Sequence, residues 1–383
     1  MPLVGNKGEW SELYVLIKVI ADGKLFQSDF SLNKDPDNVY EIVTAYKDER
    51  NYRPDFRRAD DITIYKVINS AAEHVATVSI DEFTTISKEI LKGIKTGKGK
   101  TFPINPIGES LERDLLITKL KADSSTKADI KLRIYDHRLA KETDLGFSIK
   151  SLLGNDSTLF NTGLGNNFIY EVENKSNCDL TDFNKNTYKS PNKTSRLTYR
   201  LNELDRMGCR LKFKDIQSRK LWKNLKIVDG DLPEVMAWAL YYRWFFREPS
   251  IKKVTELLEA NDPMEFYGGE TSGQKFYESK IKRFLIESAM GMTAETPWIG
   301  EYDSFGGVII AKNDGDIVCF HVYDFNLFSN YLLNNTMFEQ ASTGEDEFNP
   351  GFPKSNGKKY YYGWLYEEQN KLYYKINLQV RFT

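Results

Sequence analysis

Residues 128–136, ADIKLRIYD, and 145–152, LGFSIKSL, decide the fold. In each, apolar side chains alternate with polar ones, as they do on a strand with one buried face. If the two strands are antiparallel neighbours, Asp129 at the head of the first converges with Lys150 near the tail of the second. Ser148 and Lys150, two residues apart, share a face. Residues 168–173, FIYEVE, read as a third strand of the same central sheet.

Outward from this sheet the pattern changes. Residues 9–21, EWSELYVLIKVIA, place Trp10, Leu13, Tyr14, Ile17 and Ile20 at helical spacing between Gly8 and Asp22-Gly23, which predicts an amphipathic N-terminal helix. Glu9 and Glu12 lie on its polar face. Residues 81–95 and 106–118 read as two more helices with a Gly/Lys-rich loop between them. Residues 177–195 are polar and turn-rich, a linker or long loop. From 196 to 292 the pattern is helical. Residues 306–323 form a hairpin around Asn313-Asp314-Gly315, and 360–382 a second one. The expected class is α/β (α+β), a mixed sheet core flanked by helices with a helical middle and a β-rich C-terminal part. The expected division is 1–195, 196–297 and 298–383.

Composition narrows the function. The 383 residues carry 53 Lys+Arg against 55 Asp+Glu, a formal charge of −2, which excludes histone-like binding by bulk charge but not a local DNA-binding face. Between Lys189 and Lys226, twelve basic residues face only Glu203, Asp205 and Asp215. Such a run can neutralise phosphates, and a solvated helix face gives the same composition. Three cysteines, Cys178, Cys209 and Cys319, are odd in number and widely spaced, so neither a disulfide framework nor a zinc motif is expected. The start lacks a signal-peptide pattern, and the longest apolar run, Val235 to Tyr242, is too short to span a bilayer. These features predict a cytoplasmic protein.

Gly93 to Thr101 imitates a phosphate loop, but five residues separate Gly93 from Gly99 where four are required, and the segment follows a helix rather than a strand. His74, His137 and His321 form no metal-ligand spacing and flank no nucleophile motif. Chemistry therefore falls to carboxylates and lysines. Asp129 and Lys150 suit a hard cation and an adjacent ammonium group; a polar turn residue and an exposed sheet lysine give the same letters. Ser151, Thr158, Asn161 and Asn167 suit hydrogen bonds to phosphates or base edges, or serve as turn residues. Asn377, Gln379 and Arg381 alternate with Leu378, Val380 and Phe382, which would put three base readers on one face of a terminal strand.

Five segments, GNKGEWSELYVLIKVIADGKL, STKADIKLRIYD, LGFSIKSLLGNDSTLFN, NNFIYE and INLQVRF, together resemble the HpaII family of type II restriction endonucleases in blocks from residue 5 to the C-terminus. Such enzymes are similar to the PD-(D/E)XK nucleases. The resemblance implies a Mg²⁺-dependent endonuclease acting on double-stranded DNA, with Asp129 as metal-binding acid and Lys150 as motif lysine. It further implies 5′-phosphate and 3′-hydroxyl products, a short palindromic site such as CCGG, a homodimer, no membrane, and a cognate DNA methyltransferase as functional partner. Ser148 stands where the wider pattern has Glu or Asp. The second acid is then expected from Glu12 or, next, Glu9, with Glu171 and Glu173 as other candidates; Ser148 joins the DNA-contacting set. Two other classes fit parts of the sequence: a non-catalytic DNA- or RNA-binding protein, and a glycoside hydrolase using paired carboxylates.

Overall fold

The chain folds into two compact units, one made of residues 1–157 and 302–331, the other of 158–301 and 332–383. The computed structural model describes residues 3–105, 107–120, 128–138, 140–154, 158–174, 178–187, 190–191, 195–269, 273–301, 306–321, 324–339 and 362–383.

The first helix, α1 (Lys7–Asp22), begins in a capping box. The Asn6 side chain accepts from the Glu9 amide at 3.0 Å, and the Glu9 carboxylate accepts from the Asn6 amide at 2.9 Å. Such a cap contributes about 1 kcal/mol. Gly23 ends the helix at φ 69°, where a Cβ would lie 2.2 Å from Arg58 Nε. Arg58 donates to the carbonyls of Ile20 and Ala21, both at 2.8 Å, and so satisfies the last turn. Trp10, Leu13, Tyr14, Ile17 and Ile20 are all buried, as the stripe predicts, but so are Val15, Leu16, Val19 and Ala21. The helix is thus a core helix rather than a surface one. Helix α2 (Ile80–Thr96), capped by Ser79, packs Phe83, Ile90 and Ile94 into the same core.

That core covers one face of a nine-stranded sheet. In spatial order its strands are Lys24–Ser28, Ile317–His321, Gly307–Ala311, Lys141–Ser151, Ile130–Asp136, Lys34–Tyr46, Arg53–Arg58, Ile62–Ile68 and Ala71–Val78. Ile130–Asp136 and Lys141–Ser151 are antiparallel, with Ile130 opposite Phe147 and Asp136 opposite Lys141. Gly307–Ala311 runs parallel to Lys141–Ser151, pairing Val308 with Ser148 and Ile310 with Lys150. Only glycine fits at 307, where φ is 116° and a Cβ would meet the Phe320 carbonyl at 1.9 Å.

The mixed α/β class holds, and several finer expectations do not. The hairpin around Asn313-Asp314-Gly315 forms, yet it belongs to the first unit because its first strand pairs with Lys141–Ser151. The expected boundaries at 195 and 298 both fall inside the stretch 158–301 of the second unit. The third strand, Asn167–Glu173, is absent from the nine-stranded sheet; it pairs with Arg210–Ile216 and Lys371–Asn377 in a four-stranded antiparallel sheet of the second unit. Arg210–Ile216 is itself a strand within the stretch expected to be helical. The expected linker contains the helix Leu180–Asn186. The final hairpin turns at Gln369 and Asn370, with φ of 51° and 61°, the backbone of a two-residue turn that matches strand twist.

His321 is buried, stacked on Tyr40 at 5.1 Å between ring centroids. Burial pushes its imidazole down to about 4, with Arg138 acting in the same direction and Asp136 opposing. Its folded pKa lies below the unfolded value, so the unfolded chain takes up the proton first. Stability from this group is complete above about pH 6.5 and is lost as pH falls toward 4, on the order of 3 kcal/mol at most. Denaturant unfolding at stepped pH is expected to show this loss, and His321→Gln to flatten it; an unchanged slope in the variant would contradict the assignment.

Candidate active site

The antiparallel register places Asp129, one residue before its strand, beside the end of Lys141–Ser151. The Asp129 amide donates to the Phe147 carbonyl at 3.0 Å, and its carboxylate accepts from the Ile149 amide at 2.7 Å. The short aspartate side chain is thereby fixed between Ser148 and Lys150 along the neighbouring backbone. Phe147 and Ile149 enter the core cluster, so Ser148 and Lys150 point to the opposite face of the sheet. Lys150 is half-buried. Burial pushes its ammonium group down, while Asp129 first and Glu12 next pull it back up. Thus the two expected acids, Asp129 and Glu12, both act electrostatically on the expected lysine.

The other acids are placed differently. Glu9 spends a carboxylate oxygen on the capping box. Glu171 and Glu173 lie in the second unit, Glu171 accepting from Lys371 at 2.7 Å and Glu173 lying 3.8 Å from Lys212. Ser148 is buried at 8% exposure, and its hydroxyl cannot supply the charge of a carboxylate. Among the described residues, no group of three or more His, Cys, Asp or Glu could hold a metal ion. Two carboxylates nevertheless fit Mg²⁺, which commonly takes one or two from a protein and fills its octahedron with phosphate oxygens and water.

Lys47, which sequence reasoning missed, stands at the same end of the sheet. Its neighbour Tyr46 pairs with Lys131, two residues from Asp129. Lys47 is buried, and its Nζ donates to the Leu120 carbonyl at 3.3 Å. Burial lowers its pKa; Glu49 raises it, Lys119 lowers it and Glu12 raises it. The available signal was a lysine directly after the alternating run VYEIVTAY.

The expected DNA-contacting residues scatter. Ser151 donates to Ser11 Oγ at 2.8 Å in the first unit. Thr158 pairs with Arg381 in a three-stranded sheet of the second unit, and Asn161 is exposed. Asn167 is fully buried and donates to Gln217 Oε1 at 3.0 Å. The terminal strand is a correction. It breaks after Asn377 and resumes at Val380 in a different sheet, because Leu378 turns to donate to the Asn166 carbonyl at 3.0 Å. Asn377 and Gln379 are buried, so they share no exposed face with half-exposed Arg381. The basic run is likewise divided. Lys189 and Lys193 fall outside the described residues. Arg200 is wholly buried, donating to Thr187 and the Gly363 carbonyl and lying 4.0 Å from the Trp364 ring centre. Arg210, Lys212 and Lys214 alternate outward along one strand.

The model of the HpaII restriction endonuclease family matches residues 6–382. The chain belongs to the HpaII restriction endonuclease family. It is 31% identical over 379 residues to the type II restriction enzyme HpaII of Haemophilus parainfluenzae, covering 99% of this chain and 98% of that relative. No solved structure matches. Membership in the HpaII family makes the chain a site-specific deoxyribonuclease, a DNA-binding phosphodiester hydrolase of a restriction–modification system. No helix among the described residues is long and apolar enough to cross a membrane.

Burial of Asn377 carries its own consequence. Its amide donates to the Gly163 carbonyl at 2.8 Å and Asn167 Oδ1 at 2.7 Å and accepts from Thr162 at 2.6 Å. Asn377→Ala leaves several buried partners unsatisfied, a loss of about 2–4 kcal/mol. Thermal melting is expected to show that loss. A variant that melts with the wild type yet cuts altered sequences would instead make Asn377 a base reader.

Proposed function

We propose that the chain makes Mg²⁺-dependent double-strand cuts at a short palindromic DNA site, of the CCGG kind, in defence against foreign DNA. The observation that carries the reading is the Asp129 carboxylate held by the Ile149 amide next to Lys150, with Glu12 acting on the same lysine. Asp129 and Glu12 would hold the ion, while Ser148 lines the site without contributing charge. When bound, Mg²⁺ supplies positive charge to the phosphoryl oxygens and acidifies water.

Lys150 would stabilise the negative charge that develops on the phosphoryl oxygens in the transition state. Its half-buried ammonium group keeps a strong field there and orients the attacking water. Hydrolysis of the P–O3′ bond then leaves a 5′-phosphate and a 3′-hydroxyl. The Ile149 amide fixes Asp129 before DNA arrives, so little rearrangement accompanies the reaction.

A palindromic site is matched most simply by a twofold homodimer, each protomer cutting one strand. A cognate methyltransferase would protect the host's own sites, and both enzymes would meet DNA in the cytoplasm. Arg381 and Asn161, both accessible, are the base- or phosphate-contacting residues retained from the sequence reading, with Thr158 beside Arg381 and Ser151 near the lysine.

Plasmid DNA incubated with the protein and Mg²⁺ is expected to give discrete fragments whose sequenced ends share one short palindrome. Asp129→Ala and Lys150→Ala are each expected to lower cleavage by at least ~100-fold while metal-free DNA binding persists. Cleavage that survives both changes, or fragments that do not depend on Mg²⁺, would sink the site.

A further inference from the structure

We propose that Lys47 is a positioning residue for Glu12, fixing its carboxylate beside Lys150. The proposal rests on the reading of Glu12 as the second acid of the nuclease site. Ser148 cannot supply that acid, so the charge must arrive from a separate element, α1, on a side chain longer than aspartate. A glutamate has more rotamer freedom to lose, up to about 2 kcal/mol when fixed. Asp129 meets the corresponding need through the Ile149 amide. Lys47 is the group placed to meet it for Glu12.

The direction of Lys47 is set by the backbone. Its amide donates to the Pro54 carbonyl at 3.2 Å, continuing the pairing of Lys34–Tyr46 with Arg53–Arg58 beyond Tyr46. Its Nζ then reaches the Leu120 carbonyl. Leu120 lies against the entrance of α1: a Cβ added at Gly5 would meet Leu120 Cδ1 at 2.5 Å and Glu9 Oε2 at 2.9 Å. Lys47 is thus bonded to the residue whose side chain packs against the chain entering the helix that carries Glu12.

An ammonium group that is only 8% exposed needs compensating charge and acceptors. Leu120 takes one of its three protons. Glu49 and Glu12 supply the opposing charge. Glu49 is itself buried, one oxygen accepting from Thr118 and the other, Oε1, lacking a hydrogen-bond partner among the described residues. Glu49 opposes the charge of Lys47 from the strand side, and the Glu12 charge acts on both Lys47 and Lys150. A carboxylate attracted by two cations loses freedom of position, and two positive neighbours also limit how strongly the acids draw a divalent ion without DNA.

Lys47→Met, which keeps the apolar stem, tests the role. The variant is expected to cut plasmid DNA 10- to 100-fold more slowly and to need about tenfold more Mg²⁺ for half-maximal rate, the usual scale for groups that orient metal ligands. Lys47→Arg is expected to recover most of the rate. Metal-free binding of a duplex, followed by fluorescence anisotropy, should stay within about twofold of wild type, since the role runs through Glu12 rather than phosphate. In Glu12→Gln, adding Lys47→Met should cost no further rate. Multiplying losses, a tenfold fall in metal-free DNA affinity, or an unchanged Mg²⁺ requirement would each overturn the proposal. Should Lys47→Met unfold, Lys47→Arg and its Mg²⁺ requirement alone decide it: a requirement above wild type and a rate still dependent on Glu12 support the role. Wild-type cleavage by Glu12→Gln would instead remove the reading of Glu12 itself.

Discussion

The antiparallel register of Ile130–Asp136 against Lys141–Ser151 is the constraint on which the site depends. A shift of one residue would send Lys150 into the core and Ile149 out to solvent. The register is held from both sides. Phe147 and Ile149 must enter the cluster beneath α1, and Asp129 ties its own amide and carboxylate to Phe147 and Ile149. The bond that fixes the aspartate therefore also fixes the register that puts the lysine beside it. Packing and chemistry share one piece of backbone.

This coupling explains why the strands around Asp129 and Lys150 were legible in the sequence. Both alternate cleanly, and the HpaII resemblance is densest in the same segments. Helix α1 was legible for a similar reason, because Trp10, Leu13, Tyr14, Ile17 and Ile20 recur at helical spacing. Strands between Lys24 and Val78 were missed because their burial does not alternate cleanly: Pro54, Asp55 and Phe56 are all buried in succession, and most of Ala71–Val78 is exposed. The parallel contact of Gly307–Ala311 with Lys141–Ser151 crosses a long stretch of chain, which no local pattern encodes. Lys47 was missed for a related reason: the run VYEIVTAY marks a strand before it, but its meaning depends on Tyr46 lying opposite Lys131. The terminal segment misled in the opposite direction, since the alternation from Asn377 to Phe382 is real but is split between two sheets.

The near balance of 53 basic and 55 acidic residues has a local counterpart on the sheet face that bears Lys150. Arg133 is bound to Asp144 at 2.8 Å, Lys131 lies 3.3 Å from Asp48, and Arg53 is bound to Asp55 at 2.6 Å. A phosphate reaching any of these cations competes with a carboxylate already in place. The exposed Arg133–Asp144 and Lys131–Asp48 pairs contribute little to stability and can exchange partners at small cost, whereas the buried Asp55 keeps Arg53 bound. Lys150 differs from them in its surroundings: burial pushes its ammonium group down, and Asp129 first and Glu12 next pull it back up. On this face Arg133, Lys131 and Arg53 each meet a carboxylate and Arg57 lies over the Tyr65 ring, while the desolvated lysine is set beside Asp129, whose position the fold itself determines.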